Sequence, residues 1–367
     1  MYIPKYRITT AVLKSIGLVE VAREVIENAP LIPAWEAKFQ SEAKLKAAHY
    51  GTALEGNDLT INDAKILLEQ GVNTPEEAAA VGVVGRERDV QEVINYRRVL
   101  DYLEKLKDES GGGHFSYTKD LLLQIHKLVT ERIVPDNRLG QYRQVQVVLK
   151  NSVTGEVGFR PPAYLEVPFL VDDFLRWLNS DFGRGEHPVI RAGVTHYVLA
   201  AVHPFIEGNG RTARAFAMLV LLMEGYDIKS FFALEEYFDK NAEEYFGSLM
   251  TVSNQANKLE DRDLTPWLET FTQALAVELT RIKDTVRQLS LDSMLRKQQG
   301  KQVTLSERQL KLMEYLSAHT ELTMAEARSQ LPMVSEDTIL RDLNDLIAKG
   351  VIGKKGSTKA ARYVIKK

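Results

Sequence analysis

His203-Pro204-Phe205-Ile206-Glu207-Gly208-Asn209-Gly210-Arg211-Thr212-Ala213-Arg214 lies between two strongly apolar segments, Val189 to Val202 and Thr212 to Glu224, both with helical character. Pro204 cannot continue a helix without kinking it, so the first helix is expected to end at His203. The second is expected to begin near Arg211 or Thr212. Gly208 and Gly210 let the backbone between them approach a ligand closely and adopt positive φ. The loop opens onto a helix N-terminus, where unpaired N–H groups and the helix dipole favour an anion. Arg211 and Arg214 are three apart and project from one face of the first turn. Two guanidiniums beside such a nest suit a polyphosphate. Glu207 adds one hard oxygen ligand of the kind Mg²⁺ takes on a phosphate. Asn209 offers an amide donor to a phosphate oxygen, and His203 can accept a proton from a hydroxyl near neutral pH. A single carboxylate with a single histidine is too few ligands for zinc.

Outward from this stretch the pattern is mostly helical. Helices are predicted over Ala37 to Leu54, Ile61 to Glu69, Glu87 to Leu106, Tyr117 to Thr130, Val167 to Leu178, Ala233 to Ser253 and Pro266 to Arg296, from apolar residues at helical spacing between Gly, Pro and capping signals. One segment departs. Gln144 to Leu149 is short and β-branched, Asn151 to Gly158 is turn-rich, and Val157 to Arg160 can return, so a β-hairpin closed by Pro161-Pro162 is expected. The tail reads as three helices, Ser306 to Ala318, Met324 to Gln330 and Ser335 to Lys349, then two short strands around a basic turn, Gly353 to Lys359. That order is a winged helix-turn-helix. The expected parts are an N-terminal helical region, 1–110, a core, 114–295, and the winged helix, 300–367.

Composition narrows the function. The 367 residues are 44% hydrophobic and 26% charged, with a net charge of -3. This suits a folded protein of two or three parts and argues against an overall nucleic-acid glove. There is no cysteine, which removes disulfides, thiolate metal sites and thiol chemistry. No charged-then-apolar leader opens the chain, and a cytoplasmic location is the default reading.

The twelve-residue stretch resembles, without departure, the H-P-F-x-[D/E]-G-N-G-R-x-x-R signature of the Fic (filamentation induced by cAMP) family. Val145-Gln146-Val147-Val148-Leu149 with Pro161-Pro162 looks like that family's flap hairpin and its exit. Asn241-Ala242-Glu243-Glu244-Tyr245-Phe246 is similar to its N-x-x-x-Y-[YF] helix. The resemblance implies a mainly α protein with a Fic-type helical core, a β-hairpin flap, an N-terminal inhibitory helix and the C-terminal winged helix. It implies an adenylyltransferase that moves AMP from ATP, with Mg²⁺, onto a Tyr, Ser or Thr hydroxyl of a protein, itself included. His203 would be the general base and Glu207 the Mg²⁺ ligand. Gly208, Asn209 and Gly210 would form the anion hole that continues into Thr212 and Ala213. Arg211 and Arg214 would hold the β and γ phosphates, and Asn241 would face the adenosine. Val147, Val148, Leu149 and Lys150 would dock the target by strand addition. Position 210 lacks the Lys of the family's kinase-like branch.

A carboxylate far from the stretch completes the resemblance. Leu54-Glu55-Gly56-Asn57 places Glu55 at a helix end before a glycine stop. It resembles the core of the family's inhibitory motif, [S/T]-x-x-x-E-[G/N], in the class with an N-terminal inhibitory helix. Glu55 would pair with Arg214 and withhold it from the γ-phosphate. The motif's Ser/Thr position is Gly51 here, with Thr52 one residue later. The same Glu implies a second activity, hydrolytic removal of AMP. A rival reading is a nucleotide-sensing regulator whose winged helix binds DNA. It is disfavoured because Glu336, Asp337, Asp342 and Asp345 make the third tail helix acidic, so protein docking is the expected role. The exposed N-terminal helices could pair into a homodimer. His196 and Tyr245 are expected to pack in the core.

Overall fold

The computed structural model describes residues 1–367 except 30, 32, 112–113, 151–156, 227, 300–304, 320, 357–360 and 366–367. The chain is mainly helical and divides into two compact units: Met1–Glu27 with Glu36–Ile282, and Asn28–Trp35 with Lys283–Lys367.

In chain order the first elements are α1 (Thr10–Glu27), α2 (Pro33–Ala53), α3 (Ile61–Glu69), α4 (Pro75–Ala80) and α5 (Glu87–Glu109). Thr60 caps α3 in a reciprocal capping box with Asp63, and Thr74 caps α4 ahead of Pro75. Next come α6 (Lys119–Thr130), strands β1 (Leu149–Lys150) and β2 (Val157–Phe159), α7 (Val167–Asn179), α8 (Asp181–Arg184), α9 (Pro188–Val202) and α10 (Asn209–Met223). They are followed by α11 (Leu234–Lys240), α12 (Ala242–Ser253) and α13 (Thr265–Gln299). The core forms around α9, which is buried on nearly every side and is accordingly apolar all round. Trp177, Phe174, Phe216 and Trp267 are fully enclosed. The paired helices α9 and α10 fix both ends of the glycine-rich loop.

Three elements differ from the expected pattern. The first hairpin strand is only Leu149–Lys150, paired antiparallel with Val157–Phe159, instead of Gln144 to Leu149. Pro161 and Pro162 have no N–H to extend the ladder. Side chains hold the segment ahead of β1 instead: Arg143 Nη1 donates to Val145 O at 3.2 Å and Gln146 Nε2 to Pro161 O at 3.0 Å. The hairpin turn and the Lys150 side chain lie outside the described residues. The helix expected over Ala233 to Ser253 breaks at Asn241, whose φ of -123° and ψ of 41° are not helical. Helix α10 starts at Asn209, earlier than expected, because Gly208 takes the left-handed conformation, φ 73° and ψ 14°, at its N-cap. Helices α1 and α4 carry no expectation from the sequence.

In the smaller unit α14 (Glu307–Ala318), β3 (Leu322–Thr323), α15 (Met324–Gln330), α16 (Glu336–Ala348), β4 (Ile352–Lys355) and β5 (Arg362–Ile365) enclose their own core. The core includes Leu312, Leu316, Ile339, Leu343, Leu346 and Tyr363. The strands form a small antiparallel sheet in the order β3-β5-β4. Strand β3 is an addition to the two expected strands, and Lys359 of the basic turn lies outside the described residues. Among the described residues no helix is long and apolar enough to cross a membrane.

Candidate active site

His203 ends α9 in the left-handed conformation, φ 50° and ψ 60°. Its Nδ1 lies 3.3 Å from Ala200 O. A carbonyl can only accept, so Nδ1 carries the hydrogen and Nε2 keeps its lone pair. Burial pushes its pKa down from the ordinary value to about 4, with the Arg143 charge adding to the effect. The imidazole is therefore neutral at neutral pH and fit to take a proton. Arg143, which the sequence reading passed over, donates Nε to His203 O at 2.8 Å, and its backbone N–H bonds Pro204 O at 2.8 Å. It ties the loop to the hairpin exit through Pro162 O.

The loop is braced from within. Asn209 accepts the Phe205 N–H at 2.8 Å and donates Nδ2 to Phe205 O at 3.0 Å. Its side-chain amide therefore closes the loop, where the sequence reading had assigned it to a phosphate. A second brace comes from α6. His126 Nε2 donates to Glu207 O at 3.1 Å, and Nδ1 accepts the Gly140 N–H at 3.1 Å. The ring stacks on Phe205 with centroids 3.7 Å apart. Burial pushes the His126 pKa down to about 4, so it stays a neutral clamp. A side chain at Gly208 would meet Thr130 at 2.7 Å, so packing against α6 as well as its positive φ calls for glycine there.

The two arginines near the start of α10, Arg211 and Arg214, are buried and meet Glu55. Arg214 Nη2 lies 2.8 Å from Glu55 Oε1, and Arg211 Nε lies 3.0 Å from Glu55 Oε2. The carboxylate thus bridges both arginines, where the sequence reading had paired it with Arg214. Burial would raise its pKa, but Arg214 and Arg211 outweigh that and hold it below the usual carboxylate range. The pKa of Arg214 is raised: burial opposes its charge, and Glu55 more than offsets this. Glu55 Oε1 would lie 2.3 Å from a Cβ placed at Gly210, so the bare glycine admits the carboxylate.

Gly51 and Thr52 also take defined places. A Cβ at Gly51 would meet the Tyr96 ring at 2.9 Å, so the aromatic fills the space of the absent hydroxyl. Gly51 O accepts Arg214 Nη2 at 2.7 Å. The Thr52 hydroxyl turns back into its own helix, onto His49 O at 2.9 Å and Ala48 O at 3.1 Å, and contributes no bond to either arginine.

These groups open on a cavity of about 280 Å³ lined by His203, Glu207, Gly208, Asn209, Gly210, Arg214, Glu55 and Leu149, with an apolar wall that includes Tyr197, Ile206, Phe246 and Met250. Such a wall beside cations suits a base attached to phosphates. Arg211, Asn241, Val147 and Val148 are not among the lining residues: Arg211 lies buried behind Glu55, and the Asn241 amide is spent on Tyr237 O at 2.8 Å. Thr212 and Ala213 are buried in α10. Tyr245 packs in the core and also lines the cavity: its hydroxyl lies 3.4 Å from Arg214 Nη1 and 3.1 Å from His196 Nε2. The Glu207 side chain is 37% exposed and pairs with Arg88 at 3.0 Å. Among the described residues no group of three or more His, Asp or Glu could hold a metal. Glu207 could give a divalent ion one carboxylate ligand, the others coming from phosphates and water. A wider groove of about 920 Å³ shares Phe159 and Ser253 with the cavity but contains none of the motif residues.

Residues 116–221 match the model of the Fic/DOC family. The protein adenylyltransferase Fic of Drosophila ananassae is 28% identical over 190 residues, 52% of this chain and 34% of that protein. Its Drosophila melanogaster counterpart is 27% identical over the same shares. The chain thus matches about a third of the length of these relatives. Among solved structures, a Fic family protein from Desulfovibrio desulfuricans superposes with a TM-score of 0.61 at 21% identity, covering 100% of this chain and 98% of that one. A Fic domain-containing signalling protein from Bacteroides thetaiotaomicron gives 0.59 at 21% identity, covering 76% and 97%. These two likenesses concern the fold.

Proposed function

We propose that this chain, a Fic/DOC family protein by its residues 116–221, is a nucleotidyltransferase that moves AMP from ATP onto a protein Tyr, Ser or Thr hydroxyl, its own included, and is restrained by Glu55. The observation that carries the reading is a neutral His203 in one cavity with a carboxylate, Glu55, that occupies both arginines of α10. In the reaction, the target oxygen attacks the α-phosphorus as its proton passes to His203 Nε2. The bond to the bridging oxygen breaks and pyrophosphate leaves. Arg214 and Arg211 stabilise the charge that develops on the leaving group, so positioning and electrostatics do most of the work. Mg²⁺ held by Glu207 would supply further neutralisation of the phosphates. The backbone of β1 and the segment before it offers an edge for the target strand. Residues 1–110 supply the restraint and 114–295 the transferase core.

The C-terminal module, 300–367, we read as a winged helix-turn-helix that recruits protein. Its basic residues are partly neutralised internally: Arg362 and Lys355 both face Glu321, at 2.5 and 3.8 Å, and Arg308 pairs with Asp342 at 2.7 Å. That weakens the footprint a nucleic acid would need. The same cavity suits hydrolysis of an AMP-modified target as a second activity, because Glu55 stands within it as a group able to orient water.

The reading is tested with Mg²⁺ and ATP labelled at the α or the γ position. Label from the α position should appear on protein, and Glu207→Ala should lose the metal-dependent turnover. Transfer of γ-label would show a kinase and overturn the reading.

A further inference from the structure

The two arginines of the site are not held alike. Among the described residues Arg214 has one ion-paired carboxylate, Glu55; the Gly51 carbonyl and Tyr245 hydroxyl beside it are neutral acceptors, and buried Glu235 acts on it only through its charge. Arg211 faces three carboxylates. Besides Glu55, Glu92 Oε1 lies 3.1 Å from Nη1 and Glu207 Oε1 lies 3.5 Å from Nη2. Glu92 stands on α5, an element separate from the helix that leads to Glu55, and its side chain is only 6% exposed. Both its oxygens are engaged: Arg88 Nε reaches Oε1 at 3.1 Å and Asn57 Nδ2 reaches Oε2 at 3.1 Å. Asn57 is itself fixed to the start of α5, donating Nδ2 to Asp89 O at 2.9 Å and accepting the Leu59 N–H at 3.1 Å. Neither Glu92 nor its network follows from the motifs.

We infer that Glu92 is the positioning residue for Arg211, the permanent counter-ion that keeps this guanidinium aimed into the site when Glu55 withdraws. The inference rests on the nucleotide reading above. A buried guanidinium stripped of its carboxylate pays a large desolvation cost or moves. Withdrawal of Glu55 leaves Arg214 without its ion-paired carboxylate, free to seek a phosphate. The same withdrawal leaves Arg211 tied to Glu92, whose orientation is set by Asn57 and Arg88. Glu207 cannot take that role, because it is more exposed and its oxygens are wanted by the metal. The 3.1 Å contact is an ion pair without hydrogen-bond alignment, so Arg211 Nη1 has no aligned acceptor among the described residues. Withdrawal of Glu55 would free Nε, the donor that it now holds at 3.0 Å, for a phosphate oxygen. The site therefore contains two carboxylates with opposite duties on one arginine: Glu55 occupies it and Glu92 aligns it. Removing Glu92 should have the opposite effect to removing Glu55.

The test uses the full chain carrying Glu55→Gly, with Glu92→Ala or Glu92→Gln added. Calorimetry gives the affinity for ATP, ADP and AMP with Mg²⁺, and α-label transfer gives KM and kcat. Glu92→Ala should weaken ATP and ADP by about tenfold, the scale of a lost charge-assisted contact. AMP should change by less than about twofold, since it lacks the phosphates Arg211 faces. The KM for ATP should rise in step. Glu92→Gln, which keeps the Asn57 contact and the packing, should recover part of the loss, and it carries the test if the Ala variant does not fold. Unchanged ATP and ADP affinity in folded protein would overturn the inference. So would an equal loss for all three nucleotides, which would mark a merely structural residue. Activation by Glu92→Ala with Glu55 intact would make Glu92 a second brake and also overturn it. Failure of the nucleotide reading looks different: Glu55→Gly alone would then bind no ATP or transfer no α-label.

Discussion

Replacing Glu55 by glycine should activate the enzyme while weakening the empty protein. The carboxylate makes two charge-assisted hydrogen bonds, 2.8 Å to Arg214 and 3.0 Å to Arg211. Bonds to charged groups contribute about 1.5–3 kcal/mol each, or ~3–6 kcal/mol for the two. A quarter of the Glu55 side chain is open to solvent, and screening brings this to ~2–4 kcal/mol. ATP must overcome that sum to claim the arginines. A gain of only ~1.4 kcal/mol in the transition state is tenfold in rate, so α-label self-modification should rise at least about tenfold. Without nucleotide the thermal midpoint should drop, because buried Arg214 loses its ion-paired carboxylate. Added ATP with Mg²⁺ should raise it again, since the substrate supplies the missing anion. Glu55→Ala separates the charge effect from the backbone freedom of glycine, about 0.5–1 kcal/mol. Glu55→Gln separates charge from the bulk above Gly210. Adding Arg214→Ala to Glu55→Gly should remove most of the gain. A wild-type enzyme as fast as Glu55→Gly at saturating ATP would refute autoinhibition.

Further outcomes follow from the same geometry. His203→Ala should abolish transfer while calorimetric ATP affinity stays nearly unchanged. In active enzyme the acid limb of kcat/KM should lie near pH 4 and not near the ordinary histidine value, because burial depresses His203 to about 4; Glu55 raises that pKa slightly, so Glu55→Gly should move the limb no higher. The linked stability has the same sign: as pH falls from about 6.5 towards 4, the unfolded chain takes up a proton that folded His203 refuses, so the thermal midpoint should fall across that window. Gly51→Ser should not improve the restraint. Its Cβ would press on the Tyr96 ring at 2.9 Å, which should cost about 1–3 kcal/mol of stability in thermal melts and loosen the Gly51 carbonyl from Arg214.

The glycine-rich loop and the placing of His203, Glu207, Gly210 and Arg214 around one cavity could be anticipated because backbone rules act locally: Pro204 stops one helix and Gly208 starts the next. The helical pattern of α5, α9 and α10 was legible for the same reason. What the local pattern does not show depends on how the chain folds back on itself. His126 looks like any helix histidine until the fold brings it under Glu207, 81 positions away. Asn209 has the right chemistry for a phosphate, yet its amide is taken by Phe205 only four residues back, a choice set by how tightly the loop turns. Glu92 reads as one of many carboxylates on a charged helix, and its burial against Arg211 is a tertiary fact. The hairpin was overextended because β-branched residues at Val145, Val147 and Val148 favour strand locally, while the two prolines opposite deny them a ladder.

His203 both terminates α9 and holds the lone pair that would accept the proton in the proposed reaction. A non-glycine residue in the left-handed region gives up ~1–2 kcal/mol, and burying a neutral imidazole away from its preferred protonated state below pH 6.5 adds to the penalty. Glycine would end the same helix without that strain. Stability and turnover are therefore opposed at a single position. A search for thermostable variants of this chain, blind to activity, would tend to replace His203 and collect well-folded proteins that no longer react.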